Sequence, residues 1–335
     1  MMMIRSVALS LALLAGSSSA FQPASIQRHA GTTTTTALSV SYLDQLSANG
    51  VPTTTNGASA ATPEPPAAPA VAAAAAAPAT PGAGETGSGI HHAPLDYFRL
   101  DQLVSKGPRA TKDWGSPQDA TRKLADDGTL RGGSWFCSEG GWPSPNQKAH
   151  TEIFFVLEGH GMLGDSDGAK HYFGPGDTVI IPKGHSGRWD VHTPIHKIWA
   201  VNAHEHIEED ESMPIRVRVD GYHTFAPHLL TPNDAGGGTD PVYGSDAPSI
   251  AYKTFYDIGP TSVGVWTSQP ASIVVSEPLE RKSFFHLLEG TLYVHDAATG
   301  TSQRCVPGDT VMLPAGFTGY VDVIEPAKKL FTTAV

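Results

Sequence analysis

Glu152 opens the apolar run "EIFFVLEG" (152–159), His150 stands two residues before it, and His185 follows the turn "PKG" (182–184). Two imidazoles and one carboxylate form a donor set suited to one divalent transition metal (Mn, Fe, Ni or Zn), with coordination positions left for a substrate. On a strand, residues two apart face the same way, so His150 and Glu152 would point together. Without a metal, the same carboxylate among apolar neighbours would have a raised pKa and serve as a general acid or base. The plainer reading of each histidine is a strand-end or loop residue. Trp135, Trp189 and Lys197 are the candidate substrate contacts. Core packing competes with that role for the tryptophans, and pairing with a strand-edge carboxylate competes with it for Lys197.

The elements that must position these residues are written twice. Trp135 stands twenty-two residues before Leu157 of one "LEG", and Trp266 twenty-two before Leu288 of another. "GPGDTVIIPKGHSGRWDV" (174–191) recurs as "VPGDTVMLPAGFTGYVDV" (306–323), and Lys197 recurs as Lys329. The chain therefore holds two copies of one unit, near 132–202 and 263–335. "EIFFVLEG" and "DTVIIP" are short, apolar on both faces and bounded by turn residues, which predicts strands rather than helices. "PGD" and "PKG" or "PAG" supply a fixed φ from Pro and a positive φ from Gly. The expectation is all-β: two tandem jelly-roll barrels.

The spacing E-x-x-F-V-L-E-G, then residues 160–173, then G-P-G-D-x-x-x-x-P-x-G resembles the two signature motifs of the cupin superfamily. "GHSGRWDVHTPIHKIW" and "GSWFCSEGG" (133–141) narrow the resemblance to the cupin domain named for (S)-ureidoglycine aminohydrolase. The resemblance covers most of residues 130–335 and implies a bicupin. In metal-binding cupins a His-x-His, a Glu and a further His hold the ion. Carried over, Glu152 takes the glutamate position. The first two histidine positions fall within "SPNQK", where the chain has Asn146, Gln147 and Lys148, and the last falls on Gly187. His150, Glu152 and His185 would be a shifted set. The second copy has Arg281, Ser283 and Phe317 at these places, so no metal is expected there. His286 and Lys282 read as half-exposed strand residues, "HH" at 91–92 as a disordered boundary, and "NAHEHIEEDE" (202–211) as a solvated charged loop.

Met1 to Ala20 reads as a signal peptide and 21–49 as a transit-peptide-like segment; together they resemble a bipartite presequence for secondary plastids, with plain secretion as the alternative. Residues 50–90 are an Ala/Pro-rich linker. The expected division is barrel 1 over 91–202, a connection over 203–252 and barrel 2 over 253–335. The formal charge of −11, with no Lys/Arg stripe, argues against nucleic acid, and the apolar run near the start is too short to span a membrane. Cys137 and Cys305 fit neither a disulfide framework nor a zinc motif. Two functions follow: a small-molecule enzyme of isomerase, lyase or amidohydrolase type acting in barrel 1 on a small polar metabolite, or a non-catalytic plastid binding or scaffold protein. A homodimer is a further expectation.

Overall fold

The structure is a computed structural model describing residues 89–205, 215–221, 231–232 and 250–335. The targeting and linker readings of residues 1–88, His206, and most of the 203–252 connection lie outside the described residues. Among the described residues the chain is built of strands and two short 3-10 turns, Leu95–Phe98 and Leu100–Gln102.

Two long strands carry the first copy. Thr151–Asp165 and Gly187–Asn202 run antiparallel, with Glu152 opposite Val201, Phe154 opposite Trp199 and Val156 opposite Lys197. Leu130–Cys137 lies on the other side of Gly187–Asn202, placing Trp135 opposite Lys197. Strand alternation then divides the residues. Phe154 and Val156 turn into the first barrel with Trp189 and Ile195. Their neighbours Phe155, Leu157, Ile198 and Ala200 turn outward, onto Val265, Phe284, Leu288 and Leu330 of the second copy. That is why "EIFFVL" is apolar on both faces: one face fills a barrel and the other joins two barrels. The register repeats in copy two, where Trp266 and Leu287 both oppose Lys329.

The shared turns have a shared cause. The Asp177 carboxylate accepts from the Gly174 N–H at 2.8 Å, and Asp309 accepts from the Val306 N–H at 3.1 Å, closing the same turn in each copy. In the two "LEG" motifs, Gly159 (φ 83°) and Gly290 (φ 82°) are left-handed, and a Cβ would meet the Pro194 oxygen at 1.9 Å or the Pro326 oxygen at 2.3 Å.

The barrels exchange edge strands. His91–Ala93, which precedes copy one, pairs with Thr310–Met312 of copy two. Arg218–Gly221, which precedes copy two, pairs with Asp177–Ile180 of copy one. The expected division therefore needs correcting at both ends. The sequence "HH" is a paired strand in which His92 Nε2 lies 2.9 Å from Asp309, and residues 91–93 belong to the second barrel's sheet. The strand Ile250–Ile258 also begins before residue 253. Three residues are too few to show a period, so the exchange leaves no pattern in the sequence.

Two further expectations change. His286 is 2% exposed at the barrel–barrel contact, 3.0 Å from the Thr310 hydroxyl, because strand alternation turns it to the packed face. His204 is buried against the Thr151 hydroxyl at 2.9 Å rather than solvated. Cys137 and Cys305 are buried free thiols, pushed well above the ordinary thiol range by burial.

Candidate functional site: a lysine-clamped carboxylate in barrel 1

Inside the first barrel is a cavity of about 190 Å³ whose lining includes Lys106, Arg109, Lys148, Lys197 and Glu152. Glu152 is its focus. Oε1 accepts from Lys197 Nζ at 2.7 Å and Oε2 from Lys148 Nζ at 2.7 Å, so both oxygens are engaged by ammonium groups. Strand pairing brings Lys197 to this face. Lys148 arrives differently: its N–H donates to the His185 carbonyl at 2.8 Å, and its carbonyl accepts from the Gly184 N–H at 2.8 Å. The "PKGH" turn thus grips residue 148 by its backbone and leaves its side chain to reach the carboxylate.

Aromatic rings enclose the second lysine. Lys197 Nζ lies 3.8 Å from the Phe154 ring centre, 4.6 Å from Trp135 and 4.7 Å from Trp189. Trp189 stacks on Trp142 with planes 11° apart, and the Arg109 guanidinium lies 4.0 Å over Trp142 while pairing with Asp119 at 3.0 Å. The tryptophans therefore both pack the barrel and wall the cavity.

The electrostatics follow from these contacts. Burial by itself would raise the Glu152 carboxyl, but the Lys148 and Lys197 ammonium groups override it and hold it well below the usual carboxylate range. The expectation of a raised pKa is thereby reversed in direction: the two ammonium groups favour the anionic form of Glu152. Lys197 is lowered, first by burial and then by Lys148 and Arg109, against the upward pull of Glu152.

The shifted histidine set does not converge on Glu152. His150 precedes Thr151, the first paired residue, so strand parity does not reach it. Its proton affinity is lowered first by burial and then by Arg131 and Lys183, with Glu205 opposing. His185 turns away from the cavity: its Nε2 lies 2.9 Å from the buried Asp165 carboxylate, which His171 also meets at 2.7 Å. Among the described residues no group of three or more His, Cys, Asp and Glu side chains is placed to hold a metal ion. A cation at Glu152 would have to displace two lysines from its oxygens, so the donor set does not fit a metal. Lys148, Lys106, Arg109 and Trp142 were not among the candidates. Lys148 alone had a signal, as a cation four residues before Glu152 at one of the absent histidine positions.

Copy two shows the same frame with the lysine Lys329 retained but without the counterparts of Lys148 and Glu152. Leu279 takes the place of Lys148, gripped through the Phe317 carbonyl and Gly316 N–H, and Ser283 takes the place of Glu152. Leu279 and Phe317 fill the interior, and Lys329 lies 4.4 Å from the Trp266 ring and 4.5 Å from Phe285.

Residues 124–199 and 257–331 match the EutQ-like cupin domain. No curated protein matches the chain at a significant level. A Pseudomonas syringae pv. tomato protein of unknown function superposes with TM-score 0.53 at 18% identity, over 74% of this chain and 100% of that one. A putative glyoxylate-induced protein from Pseudomonas aeruginosa gives 0.51 at 15%, over 76% and 94%. A salicylate 1,2-dioxygenase mutant from Pseudoaminobacter salicylatoxidans, solved with gentisate, gives 0.52 at 14%, over 76% and 84%. At these identities the likeness is one of fold. With the EutQ-like domain matched once in each repeat and the two jelly rolls joined face to face, the chain belongs to the cupin superfamily as a bicupin.

Proposed function

We propose that barrel 1 binds and acts on a small metabolite carrying a carboxylate, using built-in ammonium groups where metal-dependent cupins use an ion. One observation carries this reading: four cationic side chains line one cavity, two of them engaged by its single lining carboxylate and Arg109 by Asp119, so positive charge remains in excess. Charge of one sign focused in a low-dielectric cleft concentrates the opposite ion, even on a chain of net charge −11. Lys106, Arg109 and Lys148 bind the anionic group, Glu152 orients Lys197, and Trp135 and Trp189 keep water out. The volume suits a molecule of a few heavy atoms rather than a nucleotide or peptide. An aminohydrolase-like substrate of ureido type is compatible with that size, though its chemistry there would proceed without the histidine ligands.

Thermal unfolding with millimolar acetate, succinate or their neutral amides tests the reading. The carboxylates should raise the Tm of the protein and the amides should not; ligand at a hundred times its Kd adds about 2.7 kcal/mol. Lys148→Met should abolish the rise, and EDTA should leave it unchanged. Equal effects of acids and amides would defeat the proposal.

We also propose delivery to a plastid, on the support of the signal-like 1–20 followed by the Ser/Thr-rich 21–49. A fluorescent fusion of residues 1–49 that is secreted from an alga with secondary plastids would overturn it.

A further inference from the structure

We propose that the Lys197 amine is a covalent carbonyl trap, condensing with a small 2-oxo acid whose carboxylate is held by Lys148 and Arg109. This rests on the reading of the cavity as a carboxylate site and names the second group its ligand must carry. Four observations support it. Lys197 lines the cavity and its Nζ is held by Glu152 at 2.7 Å, so the nucleophilic atom is positioned rather than mobile. Three aromatic rings within 5 Å strip it of water. A second ammonium, Lys148, shares the same carboxylate, and a cationic neighbour is what makes a desolvated lysine reactive near neutrality. Burial and these cations together lower its proton affinity although Glu152 opposes them.

The step balances without an oxidant or reductant. Lys197 releases one proton to solvent through the cavity mouth, and the free amine adds to the carbonyl carbon, forming the C–N bond as the C=O π electrons move to oxygen. A proton then passes from the new ammonium to that oxygen, giving a neutral carbinolamine. The Lys148 ammonium protonates the hydroxyl, which leaves as water while the nitrogen lone pair forms the C=N bond of a protonated imine. Lys148 recovers its proton from solvent, which restores the one that Lys197 released. Glu152 stays ionised throughout, balancing the protonated imine as it balanced the ammonium. Copy two is an internal control: Lys329 has an aromatic enclosure of its own, but Leu279 and Ser283 stand where Lys148 and Glu152 stand in copy one.

The test is reductive trapping on the full chain. Pyruvate and cyanoborohydride at neutral pH should attach one carboxyethyl group per chain, located by peptide mapping at Lys197 and not at Lys329. Excess succinate should suppress labelling, Lys197→Arg should abolish it, and Lys148→Met should slow it by about tenfold or more. Absence of label at Lys197, or label confined to exposed lysines, overturns the proposal. If succinate still raises the Tm, the carboxylate site stands and only the trap falls; if it does not, both fall. Mapping of the unsubstituted chain decides the matter even where Lys197→Arg fails to fold.

Discussion

At the scale of single residues, the Glu152 carboxylate holds two ammonium groups at 2.7 Å, one of them 4% exposed at its side chain. Removing the carboxylate leaves Lys197 as an uncompensated buried charge. Glu152→Gln should therefore cost about 3–5 kcal/mol, read as a lower denaturant midpoint, and Lys197→Met in the same chain should recover much of it. A Gln variant as stable as the parent would sink the account of the clamp. The pH dependence has a definite sign. Because the folded carboxyl lies below its unfolded value of 4.5, the stabilisation is complete above that pH and is lost as the pH falls below it. The clamp was legible only in part. Glu152 and Lys197 stand out from the repeat and its motifs, and pairing of Lys197 with a carboxylate was one of its two readings. Lys148 joins them through a backbone grip from residues 184–185, which no periodicity records. His150 lies one residue before the strand that begins at Thr151, where alternation no longer fixes the direction of a side chain.

At the scale of elements, the strands that join the barrels carry histidines whose charging opposes folding. His286, 2% exposed, is pushed by burial down to about 3. His196, 3% exposed and 2.7 Å from the Ser134 hydroxyl, is pushed by burial to about 4. The unfolded chain takes up these protons near pH 6.5 while the folded chain refuses them until pH 3–4. Stability should thus fall between pH 6.5 and 4 by about 1.4 kcal/mol per unit for each histidine. Chemical denaturation at stepped pH checks this, and His286→Leu should flatten the slope by one histidine's share. An unchanged slope in that variant would remove His286 from the explanation. The barrels themselves were readable, since turn chemistry, alternation and an internal repeat agree at every level. Burial of His286 was not, because one face of its strand reads as exposed until a second barrel covers it.

At the scale of the whole molecule, the two barrels share one apolar seam closed at its end by Asn202, whose amide donates to the Thr332 hydroxyl at 3.0 Å and the Thr333 carbonyl at 2.9 Å. The exchanged strand His91–Ala93 covers an edge of the second sheet. A chain beginning at residue 95 should consequently lose the His92–Asp309 pair, uncover Thr310–Met312 and associate through that edge. A chain beginning at residue 89 should stay dispersed. Light scattering of the two separates the outcomes, and equal dispersion would mean that the edge needs no cover.

The crossed strands also bear on inheritance. The repeat is the mark expected of a doubled single-barrel gene, and each half supplies the other with an edge strand. Copy two, which has Leu279 and Ser283 where copy one has Lys148 and Glu152, serves as the other half of a mutual closure. A cut between the repeats would strand His91–Ala93 with the half it does not cover and Arg218–Gly221 with the other, so neither product inherits a finished sheet.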